Sequence, residues 1–133
     1  MKTIKTILII EDDPYNRELE KTLFEKSGYT VLAAEDAEVG IAIAEDEKPD
    51  LIVLDLHLPR INGLQALDKL KHNHKTGGIP CVFVTASATG EQIEKLKSSD
   101  ACGYVTKPIN TRTFVKQVIE FAKAHQGTKT HAQ

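Results

Sequence analysis

The chain is 133 residues long, 41% of its residues are hydrophobic and 27% are charged, and its formal net charge is −2. This length suits one domain with a single hydrophobic core, and neither the charge nor any basic block supports nucleic-acid binding. No apolar stretch is long enough for a signal peptide or a membrane span, so we expect a cytoplasmic protein that does not associate with membranes.

Five short apolar runs recur along the chain, at residues 7–10, 29–34, 51–54, 81–84 and 102–105. The first, third and fourth are continuously apolar, which is typical of parallel strands covered by helices on both faces. Cys81 and Cys102 belong to the last two runs and lack the spacing of a metal-binding or redox pair. We therefore expect them to be reduced thiols in the core.

The first helix is predicted to begin at Asp13 and Pro14, which suit the N-cap and the first helical position, and to end at Gly28. An apolar stripe with i, i+4 and i+8 spacing lies between them and is formed by Tyr15, Leu19 and Leu23. This stripe is the predicted apolar face of the helix.

Four further helices are predicted downstream. Asp36 can cap the second helix, which runs through Ala44, and Gly63 opens the third. Three leucines are expected to point inward from the third helix: Leu64, Leu67 and Leu70. The fourth helix spans about residues 91–97, and the fifth begins near Asn110.

Strict alternation of strand and helix, repeated five times, predicts an α/β fold with a five-stranded doubly wound parallel sheet. The expected strand order is 2-1-3-4-5, as in flavodoxin-like folds. Residues 1–126 should form this domain, and residues 127–133 a short polar tail without an effector domain. Ligands of such sheets bind beyond the carboxyl ends of the strands where the order reverses, here between the first and third strands.

Three carboxylates are predicted to converge at that point, because Glu11 and Asp12 follow the first strand and Asp55 follows the third apolar run. Because they repel one another, at least one would be protonated unless a cation neutralises them, and Mg²⁺ (or Mn²⁺) suits an open edge that offers carboxylate oxygens. A zinc site would need histidine or cysteine ligands, for which His57 is the one nearby candidate. Helix capping and solvation alone would be a sufficient explanation for Asp13, but not for the three clustered acids.

A hydroxyl and a cation are expected at the same edge of the sheet. Thr85 closes the fourth apolar run, and Lys107 follows the fifth. Together with Mg²⁺ and a backbone N–H such as that of Ala86, they would surround a phosphoryl group on Asp55. Each of these residues has an ordinary structural explanation when taken alone, so the prediction depends on the set.

These motifs resemble the CheY-like receiver domain of bacterial response regulators. The resemblance runs from about residue 4 to residue 125 and is carried by residues 9–13, by Asp55 with Pro59 and Gly63, and by residues 84–86 and 104–108. The Asp-x-x-Asn pattern from Asp13 to Asn16 is most similar to stand-alone receivers of the DivK type and to receivers attached to hybrid kinases.

The resemblance implies a role for each acidic residue. Asp55 would be the phosphoacceptor, taking a phosphoryl group from a sensor histidine kinase or a histidine phosphotransfer protein. Asp12, Asp55 and the backbone carbonyl of His57 would hold Mg²⁺, and Glu11 would act through a water. The chain would thus be a signalling phosphoacceptor and not an enzyme that acts on other molecules.

The resemblance also implies a switch. Lys107 would pair with a phosphoryl oxygen, and the bond to Pro108 would be cis. Thr85 would move toward the phosphoryl group and Tyr104 would turn inward, which would change the surface of the fourth helix, fifth strand and fifth helix for a downstream protein. The side chains at His57 and Ser87 would tune the rate of dephosphorylation. A monomer or a weak, phosphorylation-linked homodimer is expected.

Two alternatives remain at this point. One is a constitutive interaction domain of the same fold, in which the acids do not take part in phosphotransfer. The other is a flavodoxin or a phosphoaspartate hydrolase of similar topology. A flavodoxin needs a phosphate-binding loop after the first strand, where residues 11–13 are acidic, and a hydrolase needs its nucleophile there with a second Asp two residues later.

Overall fold

A computed structural model of the chain describes residues 3–86 and 89–131, with side chains as far as residue 124. Strands and helices alternate throughout. In chain order they are β1 (Thr6–Ile10), α1 (Pro14–Lys26), β2 (Thr30–Ala34), α2 (Ala37–Glu47), β3 (Leu51–Asp55), α3 (Gly63–His72), β4 (Cys81–Thr85), α4 (Gly90–Lys97), β5 (Gly103–Thr106) and α5 (Phe114–His131).

The strands form one parallel sheet with the order β2-β1-β3-β4-β5, which confirms the predicted doubly wound topology. Every predicted strand agrees with an observed one to within one residue at each end. β1 lies between β2 and β3, so the reversal of strand order falls between β1 and β3, as expected.

The sheet separates two apolar layers, and β1 contributes alternate side chains to each. Ile7 and Ile9 pack in the layer beneath α1 and α5, together with Phe114. Leu8 and Ile10 pack in the layer beneath α2, α3 and α4. These four β1 side chains are fully buried, and burial of each contributes about 1.5–3 kcal/mol to stability.

The ends of α1 follow the predicted signals. The Asp13 side chain accepts a hydrogen bond from the Asn16 N–H at 3.2 Å, and Pro14 is the first helical residue. Gly28 has a φ of 96°, in the left-handed region that glycine adopts without strain, and the helix ends just before it.

The predicted apolar face of α1 is correct only in part: Leu19 and Leu23 are half-buried, and Leu23 packs against the core. The Tyr15 side chain is 73% exposed, whereas the buried residues of this helix are Glu20 and Phe24. The Phe24 ring packs against the Phe114 ring, with centroids 5.3 Å apart, and an edge-to-face contact joins it to Tyr29. This aromatic packing fixes the rotation of α1 and carries Glu20, one turn earlier, into the interior.

The second, third and fourth helices begin within one residue of the predicted starts, whereas the fifth begins four residues after the predicted Asn110. Asp36 caps α2, which continues to Glu47, and Asn62 and Gln65 form a capping box at the start of α3. α5 begins at Phe114 because the preceding residues form a turn, and its backbone is helical to His131, within the predicted polar tail. In the described part of the chain, no helix is long and apolar enough to cross a membrane.

Some side-chain predictions for the core also hold. Leu67 and Leu70 of α3 are buried, whereas Leu64 is half-buried. Neither Cys81, which is buried, nor Cys102, which is half-buried, takes part in a disulfide among the described residues. Burial raises the pKa of the Cys81 thiol to about 12, which keeps it protonated and unreactive.

Candidate functional site

The carboxyl ends of β1 and β3 bring three acidic residues together. Ile10 and Leu54 are partners in the parallel ladder, so Glu11 and Asp55, which follow them, are neighbours. Carboxylate oxygens of Glu11, Asp12 and Asp55 all lie within 4.8 Å of one another. Glu11 and Asp55 are buried, and Asp12 is exposed at the mouth of the cluster.

Lys107 supplies a positive charge to this cluster. Its Nζ donates a hydrogen bond to Glu11 Oε1 at 2.6 Å and lies 3.5 Å from Asp55 Oδ2. The Lys107 backbone N–H donates to the Thr85 carbonyl at 2.8 Å, and the Lys107–Pro108 peptide bond is cis. The chain after β5 is therefore held beside β4, with its ammonium group against two buried carboxylates.

One ammonium group does not neutralise the acids. Burial raises the pKa of Glu11 to about 7, the charge of Asp55 acts in the same direction, and the hydrogen bond from Lys107 opposes both. Burial alone would lower the pKa of Lys107, but the hydrogen bond to Glu11 and the charge of Asp55 outweigh it and raise that pKa. The cluster retains an excess of negative charge in a poorly hydrated place.

The donor set fits a hard divalent cation. The three acids offer carboxylate oxygens, with one ligand residue exposed to solvent, and Mg²⁺ or Mn²⁺ takes such oxygens while keeping several waters. The high pKa of Glu11 supports this fit, because an added cation would favour its ionised form.

The turn after β3 is packed closely behind Asp55. The His57 N–H donates to Asp55 Oδ1 at 3.2 Å, while the His57 side chain is exposed. The Gly63 N–H donates to the Leu56 carbonyl at 2.8 Å. A Cβ at Gly63 would collide with the Asp55 carbonyl oxygen and approach Phe83 to 2.8 Å, so only glycine lets α3 begin this close to β3.

Arg60 joins the same turn to the start of α2. Its φ is 64°, an uncommon value for a residue with a side chain, and its guanidinium donates to Asp36 at 2.9 Å and to Glu38 at 3.0 Å. Arg60 and Glu38 are exposed. The sequence reasoning did not identify this connection.

The other predicted residues lie around the cluster. Thr85 ends β4 and is fully buried, and Ala86 follows it in an exposed position. Tyr104 is half-buried and is the ladder partner of Phe83, in the layer beneath α2, α3 and α4. Ser87 lies outside the described residues.

Comparison with known proteins gives the family. A family model described as the response regulator receiver domain matches residues 7–119. The chain belongs to the response regulator receiver family. Receiver domains are signalling phosphoacceptors that bind Mg²⁺ through acidic residues and interact with histidine kinases and downstream targets. The family match decides against the flavodoxin and phosphoaspartate hydrolase alternatives.

Two curated relatives agree with this family. Protein PilH of Pseudomonas aeruginosa is 35% identical over 114 residues, which cover 84% of this chain and 93% of that protein. The polar-differentiation response regulator DivK of Brucella anthropi is 31% identical over 114 residues, covering 86% of this chain and 93% of DivK. The resemblance to DivK agrees with the one predicted from the Asp-x-x-Asn pattern.

Solved structures have the same fold. A CheY-like receiver domain protein from Methanospirillum hungatei superposes with a TM-score of 0.83 at 28% identity, covering 95% of this chain and 99% of that one. The chemotaxis protein CheY4 of Vibrio cholerae also gives a TM-score of 0.83, at 22% identity, and covers 90% of this chain and 99% of its own. The second similarity concerns the fold alone.

The receiver has one buried acid near the site that the sequence reasoning missed. Glu20 of α1 is only 2% exposed. Burial raises its pKa to about 8, the charges of Glu11 and Asp55 add to this shift, and Lys107 opposes it. The available signal was Phe24, four residues later, because the largest apolar side chain of α1 marks the face that the helix buries.

Proposed function

We propose that Asp55 accepts a phosphoryl group from a phosphohistidine on a histidine kinase or a histidine phosphotransfer protein. A carboxylate oxygen of Asp55 attacks the phosphorus, the bond from phosphorus to the imidazole nitrogen breaks, and its electron pair stays on that nitrogen. The observation that carries this proposal is the convergence of Glu11, Asp12 and Asp55 around the Lys107 ammonium at one edge of the sheet.

Mg²⁺ or Mn²⁺ would be held by Asp12, Asp55 and the backbone carbonyl of His57, with Glu11 acting through a water. When bound, the cation would offset charge on the phosphoryl oxygens. The exposure of Asp12 supports this assignment, because a hydrated ion can enter from that side. The hydrogen bond from the His57 N–H to Asp55 helps to orient the carboxylate.

The phosphoryl oxygens would be bound by three groups from β4 and β5. Lys107 would form an ion pair with one oxygen, and the Thr85 hydroxyl and the Ala86 N–H would donate to others. The position of Thr85 at the end of β4, next to Asp55 on β3, supports this arrangement. His57 and Ser87 would set how fast water removes the phosphoryl group.

Phosphorylation would change partner binding on the face formed by α4, β5 and α5. Movement of Thr85 toward the phosphoryl group would let Tyr104 turn inward. The half-buried state of Tyr104 is compatible with both orientations, and a groove of about 320 Å³ lined by Tyr104 and Phe121 lies on this face. A downstream protein would bind here, and weak dimerisation could use the same face.

Phosphorylation by a small acyl phosphate in the presence of Mg²⁺ tests the proposal. Intact-mass spectrometry should detect one added phosphoryl group on the unaltered chain and none on Asp55→Asn, because the amide is a poor nucleophile. The matched control is Asp68→Asn, which removes an exposed carboxylate on α3 and should leave phosphorylation unchanged.

Two results would contradict the proposal. One is an unaltered, folded chain that gains no phosphoryl group from acyl phosphate or from any phosphohistidine donor. The other is Asp55→Asn gaining as much phosphate as the unaltered chain. A chain whose partner binding is the same with and without Asp55→Ala would instead be a constitutive interaction domain.

A further inference from the structure

A cavity of about 260 Å³ lies behind the acidic cluster, between the first half of α1 and the turn after β5. Its lining includes the side chains of Asn16 and Glu20 from α1, and of Lys107 and Thr111 from the turn. Lys107 therefore borders two spaces, the carboxylate cluster on one side and this cavity on the other.

Glu20 is the unusual residue of this cavity. It is almost fully buried, and burial together with nearby charges accounts for the raised pKa of its carboxyl group. Burial of a charged carboxylate is costly unless it is paired. The charged groups that act on Glu20 are Glu11, Lys107 and Asp55, and Lys107 is the one of opposite sign.

The Lys107 ammonium group can donate hydrogen bonds to more than one carboxylate. An ammonium group has three donors, and here the short contact is with Glu11 at 2.6 Å, while that with Asp55 is long at 3.5 Å. A lysine side chain is a flexible four-carbon stem that ends in a compact charge. Rotation of the stem into the cavity would bring the ammonium toward Glu20 without moving the backbone.

We propose that Lys107 has two positions, one against Glu11 and Asp55 and one in the cavity beside Glu20, and that Glu20 is the positioning residue that sets the balance between them. The inference rests on the proposed function, because the position of Lys107 matters for phosphorylation only if Asp55 is the phosphoacceptor. An ionised Glu20 withdraws Lys107 from the place where it would bind a phosphoryl oxygen, and so slows phosphorylation.

The test compares the unaltered chain with Glu20→Gln, which removes the charge and keeps the shape, and with Glu18→Gln, which removes an exposed charge from the same helix. Measurements at pH 9 keep Glu20 ionised, since its pKa is about 8. Lysine-labelled NMR without metal should detect nuclear Overhauser effects from the Lys107 ε-protons to both Glu11 and Glu20 in the unaltered chain.

In Glu20→Gln the contact of Lys107 with residue 20 should weaken and that with Glu11 should strengthen. The rate of phosphorylation by a small acyl phosphate with Mg²⁺ should rise about threefold to tenfold, and Glu18→Gln should behave as the unaltered chain does. Absence of a contact between Lys107 and Glu20 in the unaltered chain would overturn the inference, without any need for a variant to fold.

Other outcomes separate this inference from the proposed function. A faster rate in Glu20→Gln with unchanged Lys107 contacts would mean that Glu20 acts by repulsion alone, which also overturns the two-position inference. If Glu20→Gln weakens the contact of Lys107 with residue 20 and strengthens that with Glu11, but no protein is phosphorylated, the two-position inference is supported and the proposed function fails.

Discussion

The two ends of β3 each carry an aspartate, and the two carboxylates are used differently. Asp50, just before the strand, accepts hydrogen bonds from the Lys5 and Thr6 N–H groups at 2.9 and 3.0 Å. Asp55, the last residue of the strand, accepts the His57 N–H at 3.2 Å and lies 3.5 Å from the Lys107 ammonium. Asp50 therefore links the start of β1 to the start of β3 through hydrogen bonds. Asp55 has longer contacts, and its neighbours are acidic.

This difference separates a structural carboxylate, Asp50, from the proposed phosphoacceptor, Asp55. Short bonds to two backbone donors fix the Asp50 side chain and stabilise the fold. The donors to Asp55 are farther away, so its oxygens can bind other groups. The nearby charges of Glu11 and Asp12 repel that of Asp55, and a bound cation would relieve this repulsion. We therefore expect some substitutions near the carboxyl ends of the strands to raise the free energy of unfolding. Substitutions near their amino ends should lower it.

The largest expected effect is at Glu20, on the carboxyl side. Its pKa in the folded chain, about 8, exceeds the ordinary value of 4.5, so the folded state binds this proton more tightly than the unfolded state. The stabilising contribution is complete below pH 4.5 and is lost as the pH rises to 8, at about 1.4 kcal/mol per pH unit.

Glu20→Gln should thus be close to the unaltered chain in urea unfolding at pH 4.5 and exceed its free energy of unfolding by roughly 4 kcal/mol at pH 8.5. Glu18→Gln is the control and should give no such difference. Equal pH dependence in Glu20→Gln and the unaltered chain would contradict the assignment of this loss to Glu20.

The next effect is expected at Gly63, where α3 meets the carboxyl end of β3. Gly63→Ala would force the added methyl group against the Asp55 carbonyl and the Phe83 ring, so the free energy of unfolding should fall by about 2–3 kcal/mol. Phosphorylation of the folded fraction should also slow, because the backbone of Asp55 must shift.

Gly78→Ala is the matched control for this change, since no atom lies within 4 Å of a Cβ at Gly78. Urea unfolding and phosphorylation rates of the two variants provide the measurement. If both alanines are tolerated equally, the close approach of α3 to β3 does not limit stability.

The smallest of these effects is expected at the amino edge. Asp50→Ala leaves the Lys5 and Thr6 N–H groups without their acceptor, which should lower the free energy of unfolding by about 1 kcal/mol. The rate of phosphorylation at 25 °C should not change, because this edge lies at the far end of β3. A slower rate in fully folded Asp50→Ala would show that the two ends of the strand are not independent.

The fold was predictable because its signals are local. Continuous apolar runs, the N-caps Asp13 and Asp36, and Gly63 each determine a strand or a helix end from a few neighbouring residues. The meeting of Glu11, Asp12 and Asp55 followed from topology, since parallel strands place their carboxyl ends at one edge.

The rotation of α1 was not predictable from the spacing of apolar residues. Tyr15 was predicted to lie on the apolar face but is exposed, and the spacing gave no prediction that Glu20 would be buried. The packing of Phe24 on Phe114 determines the actual arrangement, and these two rings are distant in sequence. Contacts between residues that are distant in sequence cannot be predicted from the spacing of residues within one helix.

The link from Arg60 to Asp36 and Glu38 makes the turn behind Asp55 sensitive to ionic strength. Salt screens exposed ion pairs, and these pairs hold a residue in a backbone conformation that it would not otherwise prefer. Raising the salt concentration should therefore increase amide hydrogen exchange in this turn before it affects the strands.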